Sequence, residues 1–251
     1  MKLKSLLKNL IYRCLYFFPA GSNQAVILMY HSIGENNVYF TVRAEEFSKQ
    51  MDYLVKNNYN VVTLNNLIKL LKTGTIPSKT VVLTFDDGYK DNYVNVYPIL
   101  KKYNFSATIF LATGLIGQKI PNSSGEALAA LSWKEIKEMN QGGLIDFQPH
   151  TVQHQKNYLN NETNIASEVS NSKREIEEGL LKTCQLFAYP SGKYNDSIIK
   201  VLKNLGFIAA LTVSRGVVKS YDDLFRLKRN SIDSRISLNM FKTIIKRGRI
   251  N

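Results

Sequence analysis

Two short stretches of the sequence hold groups that could bind a metal ion and activate water. One is Thr84-Phe85-Asp86-Asp87-Gly88-Tyr89, the other His150-Thr151-Val152-Gln153-His154. Two imidazoles four residues apart lie on one side of a helical turn, where they can share an ion. A third ligand is then needed, and Asp86 or Asp87 is the natural source. Two His and one carboxylate with an open position is the arrangement of a hydrolytic zinc site. Adjacent aspartates at a strand end point in different directions, so one can hold an ion while the other faces the water. Asp-Asp-Gly alone is a common turn and a lone HxxxH pair is weak; their combination carries the inference. The chain has only three histidines, these two and His31 in Leu28-Met29-Tyr30-His31, so any imidazole chemistry must use them. With two cysteines, Cys14 and Cys184, neither a disulfide scaffold nor a cysteine-based zinc cluster is available.

These groups must be brought together by the elements that carry them. Short apolar runs rich in β-branched residues predict strands over 25–30, 60–63, 81–85, 107–111, 144–147, 185–189, 207–212 and 225–229. Helical patterns predict helices over 44–56, 64–72, 93–103, 133–141, 162–181, 196–205 and 238–247. Continuous apolar strands alternating with helices argue for a parallel sheet buried on both faces. About eight such units suggest an α/β fold of the (β/α) barrel type, distorted or incomplete, with the active site at the carboxyl ends of the strands. Asp86, Asp87, His150, His154, His31 and the Pro190-Ser191-Gly192 turn all fall just beyond predicted strand ends, with Tyr189 the last residue of its strand. The stretch 112–132 is a long connection rich in Gly, Asn and Ser, as a rim or an insertion would be.

TFDDGY and HTVQH resemble the first two motifs of the polysaccharide deacetylases, carbohydrate esterase family 4, over roughly residues 25–232. That resemblance implies a distorted (β/α) barrel that removes N-acetyl groups from a glycan with a divalent metal, Zn first, with Co, Ni or Mn as alternatives. It implies Asp86 as general base and Asp87, His150 and His154 as metal ligands. Two departures stand out. The third family motif usually reads Arg-x-Pro, whereas this chain has Ala188-Tyr189-Pro190; and no histidine follows His154 to act as the late general acid. Leu28-Met29-Tyr30-His31 and Phe187-Ala188-Tyr189-Pro190 look like the poly-N-acetylglucosamine deacetylase branch, which implies His31 as the acid. Ser191, by its amide, and Tyr189 and Tyr89 are then candidates for the oxyanion and substrate, with Trp133 a further aromatic that could stack on a sugar. Arg226 and Arg229 are candidates to orient Asp86 in place of the missing arginine.

The formal charge of +13 is placed mostly at the ends, with +4 on residues 1–20, +4 on residues 241–251 and +5 on the 220 between. No basic run interleaved with aromatics appears, which argues against nucleic acid as a partner. Residues 1–21 read as a basic amphipathic segment, suited either to an anionic membrane surface or to packing on the domain as a terminal helix. Arg13 interrupts the apolar core of a signal peptide, which stays a further reading, and the apolar stretch is too short to span a bilayer. Residues 22–251 read as the catalytic domain. The expected partner is an N-acetylated oligo- or polysaccharide (poly-N-acetylglucosamine-like, peptidoglycan or lipid-linked), and the expected location the membrane or cell envelope, on either side. Two other functions compete: an O-acetyl esterase using the same site, and a glycan-binding module of the same fold without catalysis.

Overall fold

The computed structural model describes residues 23–121, 125–155 and 162–248. The basic segment 1–21 and its boundary at residue 22 lie outside the described residues. The frame is a parallel sheet. Strand β1 (Gln24–Tyr30) pairs with β3 (Thr80–Phe85), β3 with β4 (Ala107–Leu111), and β4 with β7 (Ile145–Pro149), all parallel. The short β2 (Asn60–Val61) pairs with the start of β3. Every residue of β3, Thr-Val-Val-Leu-Thr-Phe, is buried, as expected of a strand covered on both faces. Alternate residues serve two cores. Val26, Leu28, Tyr30, Val81, Leu83 and Phe85 pack outward on helices, including Phe47, Met51 and Leu54 of α1 (Ala44–Lys56). Ala25, Ile27, Val82 and Phe110 pack inward, with Leu64, Leu67, Ile68 and Leu71 of α2 (Leu64–Thr73).

Local chemistry fixes the helix ends. The Thr63 hydroxyl accepts the Asn66 N–H at the start of α2, which ends at Gly74 in the left-handed region, φ 81°. Ser132 and Glu135 form a reciprocal capping box on α4 (Trp133–Gln141). A π-helical turn, Asn92–Val96, precedes α3 (Tyr97–Tyr103), where one continuous helix is expected from residue 93. The long 112–132 connection carries a small antiparallel hairpin, β5 (Lys119–Ile120) with β6 (Leu128–Ala129). It is tied to the Asp-Asp-Gly turn through Leu131 N–H to Gly88 O and Lys90 N–H to Ala129 O.

The rest of the ring is built differently. After α5 (Glu162–Leu180), β8 (Leu186–Ala188) pairs in parallel with β9 (Ala209–Leu211) across α6 (Asp196–Asn204). Among the described residues no backbone ladder joins β7 to β8; the Gln148 side chain spans the gap, its Oε1 accepting the Gln185 and Leu186 N–H groups at 3.1 and 3.0 Å. On the far side, Leu227 bridges to Leu211, and β11 (Asn230–Ser231) then returns to β1 in parallel, beside the antiparallel β10 (Val218–Lys219). The expected strand over 225–229 is therefore displaced. Asp223 accepts the Phe225 N–H and winds 224–226 into a 3-10 turn, so pairing to β1 begins only at Asn230. The result is the expected incomplete (β/α) barrel, finished by α7 (Leu238–Arg247) against β1 and α1.

Candidate active site

The turn after β3 sets two carboxylates side by side. Asp86 N–H extends the β1–β3 ladder by donating to Tyr30 O at 2.9 Å. Asp87 (φ 72°) and Gly88 (φ 80°) then both adopt the left-handed region, which Asp tolerates and Gly favours. A Cβ at residue 88 would also meet Leu111 Cδ2 at 2.6 Å. The tight turn needs this glycine.

Asp86 and Asp87 have different partners. The guanidinium of Arg229, itself fully buried, donates Nη1 and Nη2 to the two oxygens of Asp86 at 2.6 and 2.7 Å. Arg229 is in turn held by Thr212 O, 2.9 Å from Nε, and by the Thr84 hydroxyl, 3.3 Å from Nη1. Burial is the largest single influence and would raise the Asp86 pKa; the Arg229 charge, the nearby imidazole of His150 and the Arg229 hydrogen bonds together more than offset it, and the carboxyl is held far below its ordinary range. Asp87 instead leaves Oδ1 buried without a hydrogen-bond partner, 3.7 Å from His150 Nε2 and 3.5 Å from His154 Nε2.

His150 follows β7 directly, its N–H donating to Leu111 O. Its Nδ1 is 2.6 Å from the Ala188 carbonyl, an atom that can only accept, so Nδ1 carries the proton and Nε2 turns a lone pair toward Asp87. Burial is the chief reason its pKa falls to about 4. The backbone to His154 is not the helical turn expected from the four-residue spacing. Thr151 (φ 67°) and His154 (φ 49°) are both left-handed, and the Thr151 hydroxyl accepts the His154 N–H. A bent loop, not a helix, brings the imidazoles to 4.7 Å between ring centres. One ligand atom from each of Asp87, His150 and His154 lies within 4.8 Å of the others. An orphaned buried carboxylate oxygen facing two ring nitrogens fits a divalent ion such as Zn²⁺.

The surrounding cavity, about 370 Å³, is lined by these four residues and by His31, Tyr89, Phe40, Ile120, Pro121, Met29, Ser191 and Ser231, with the half-exposed Tyr39 and Val213 at its rim. His31 is fixed through its backbone, since the Asn92 amide donates to His31 O at 2.9 Å; its Nδ1 is buried without a partner. Ser191, in the left-handed region at φ 55°, and Tyr89 reach the cavity as expected. Burial, and next the Asp87 carboxylate, hold the Tyr89 phenol far above its ordinary range. A larger groove of about 560 Å³ lies on the other side of the 36–41 loop, but its acids Glu46 and Asp233 are already paired with Lys49 and Arg235.

Three sequence expectations need correction. Tyr189 is wholly buried away from the cavity, its hydroxyl donating to Phe225 O and its ring stacked on Tyr194. Arg226 does not approach Asp86; it is half-exposed and pairs with Asp196 at 3.0 Å and Asp223 at 3.4 Å. Trp133 packs on the core and over Gly179 of α5. The residues that sequence reasoning missed are supports: Thr84 and Thr212 around Arg229, Gln148 at the seam and Asn92 behind His31; the 112–132 connection, read as a rim or an insertion, supplies Ile120 and Pro121 as one wall. A short polar side chain on a buried strand, such as Thr84 or Gln148, is the one signal that could have flagged the first of these.

With this geometry in hand, known proteins give a consistent comparison. The profile of the family described as "Polysaccharide deacetylase" matches residues 73–210, which include both aspartates and both His of HTVQH but neither His31 nor Arg229. The chain is 31% identical, over 82% of its length and 72% of the relative's, to the poly-beta-1,6-N-acetyl-D-glucosamine N-deacetylase of Staphylococcus epidermidis. Among solved structures it is similar to the Streptococcus pyogenes deacetylase PplD in complex with acetate, at TM-score 0.77 and 29% identity, covering 92% of this chain and 100% of that one. IcaB from Ammonifex degensii shares the fold at TM-score 0.78 and 24% identity, covering 89% and 97%.

Proposed function

The chain belongs to the polysaccharide deacetylase family, and from that premise and the geometry of the site we propose that it hydrolyses the N-acetyl groups of a poly-N-acetylglucosamine-like glycan. The observation that carries this reading is the division of labour between the two aspartates: Asp87 with a bare oxygen beside two imidazoles, Asp86 ionised and locked by Arg229 next to them. Asp87, His150 and His154 would hold the ion, which we take to be Zn²⁺. Such an ion lowers the pKa of bound water to about 7 and polarises a carbonyl.

The chain's own residues do the rest. Asp86, held as the carboxylate by Arg229, takes the proton of the attacking water. Both its oxygens accept from Arg229, which keeps the carboxylate oriented while leaving a lone pair free for that proton. His31, lining the same cavity with an unpartnered Nδ1, gives a proton to the departing amine, which leaves poorly until protonated. Ser191 and Tyr89 border the space where the tetrahedral oxygen forms, and the Ser191 amide is our candidate donor to it. We further propose that the basic segment 1–20 rests on an anionic membrane surface and keeps the enzyme at the cell envelope.

Acetate release from N-acetylglucosamine oligomers and polymer, with and without chelator, tests the reading. Wild type is expected to release acetate only without chelator. D86N should lose about 10²–10⁴-fold in kcat while still binding zinc. Chelator-insensitive release, or an active D86N, would refute it. Release from O-acetylated but not N-acetylated glycans would instead favour an esterase.

A further inference from the structure

We propose that Glu168, on α5, is a positioning residue for the metal centre: its buried carboxylate holds the backbone between the two ligand histidines in the bend that lets both rings face Asp87. The Val152 and Gln153 N–H groups donate to one oxygen, Oε2, at 3.0 and 2.9 Å. Glu168 is only 9% exposed, so it faces little competition from water. The inference rests on the reading that Asp87, His150 and His154 hold an ion.

The bend between His150 and His154 has no repeating structure to satisfy its backbone. With Thr151 and His154 in the left-handed region, the amides of 152 and 153 point the same way and form a small anion-binding nest. The opposite polarity is used up elsewhere. Thr151 O and Val152 O accept from the Thr113 and Gly114 N–H groups of the 112–132 connection, at 3.2 and 2.9 Å. His154 N–H goes to the Thr151 hydroxyl, and His150 N–H to Leu111 O. Among the described residues that hold this bend, Glu168 is the only charge, and it reaches in from a different element. Removing it leaves the Val152 and Gln153 N–H groups without this acceptor and favours relaxation of the bend toward ordinary φ values, which would swing the His154 ring away from Asp87. Partners that orient ligands in this way commonly carry a tenfold to hundredfold share of metal affinity.

Zinc affinity, measured by chelator competition on the full chain, tests the proposal. E168A is expected to bind Zn²⁺ about 10–100-fold more weakly than wild type. E168Q, which keeps an acceptor oxygen of the same reach, should recover most of that loss. E178Q removes an exposed carboxylate from the same helix and should match wild type. A folded E168A that binds zinc as wild type does overturns the positioning role. So does an E168Q no tighter than E168A, which would point to long-range charge instead of hydrogen bonds. If E168A does not fold, amide hydrogen exchange on the metal-free wild type decides: protection at Val152 and Gln153 supports the clamp, and exchange at the rate of an open loop overturns it. A wild-type chain that binds no zinc, with those amides protected, removes the metal reading and leaves only a structural fastening.

Discussion

Asp86 and Asp87 are neighbours in sequence with opposite surroundings, and the difference comes from one arginine. Arg229 makes a bidentate pair that Lys cannot reproduce, since an ammonium offers a point charge and not a planar fork. R229K is therefore expected to lower kcat roughly a hundredfold, the scale of losing about 1 Å of alignment, with zinc content unchanged. The pH profile should move as well. Arg229 depresses the Asp86 pKa, so weakening the pair raises it, and the acid limb of kcat/KM shifts to higher pH. An unmoved acid limb would mean that Asp86 is not the base. The sequence made Arg226 and Arg229 equal candidates. Side-chain parity could have separated them: Leu227 points into the inner core, and Arg229, two residues on, follows it toward the cavity. Arg226 lies in a 3-10 turn that parity does not govern, and it faces solvent acids.

At the scale of elements, the strands whose apolar runs are continuous were legible, and with them the positions of Asp86, Asp87 and His150 at carboxyl ends. What was not legible is where the ring departs from regular pairing. Gln148 looks like an ordinary polar interruption in Asp146-Phe147-Gln148, yet it replaces a ladder. Its acceptor oxygen has no substitute, so Q148L should strand two backbone N–H groups at a cost of roughly 2–5 kcal/mol, read by urea unfolding. The same substitution should weaken zinc binding, because Ala188 O, one residue pair farther along the seam, orients His150. A variant as stable as wild type would mean that water or another side chain takes over both amides. The four-residue spacing of the histidines picked out a pair that the fold does bring together, but by another route: it implied a helical turn, and the fold uses a bend whose φ values no pattern of residue types announces.

For the whole molecule, the metal-free protein should carry a pH signature from His150. Its unfolded pKa is about 6.5 and burial lowers the folded one to about 4, so between those values the unfolded chain binds the extra proton. Stability thus rises as pH climbs from about 4 to 6.5 and then levels, a gain of about 3 kcal/mol. Zinc at a hundredfold over its Kd should add about 2.7 kcal/mol at neutral pH, raising Tm by roughly 5–10 °C, and chelator should remove the gain. Calorimetry across this pH range with and without zinc checks both, and a Tm blind to zinc would contradict the ligand set. The overall (β/α) plan was readable because alternation of element types is a property of the entire chain; Glu168 and Asn92 were not, since each acts on backbone far from it in sequence or on another element.

Arg229 and Asp86 are 143 residues apart. Read in order of synthesis, that separation means the growing chain completes the proposed ligand set at His154 long before it makes the counter-ion of the proposed base. A nascent chain elongated only through β7 and the following bend would already own every group proposed to take up an ion. It would still lack the residue that keeps Asp86 ionised and aligned. Loading would precede competence, and the enzyme would first become able to cut an amide when the segment carrying Arg229, just ahead of β11, docks beside β1.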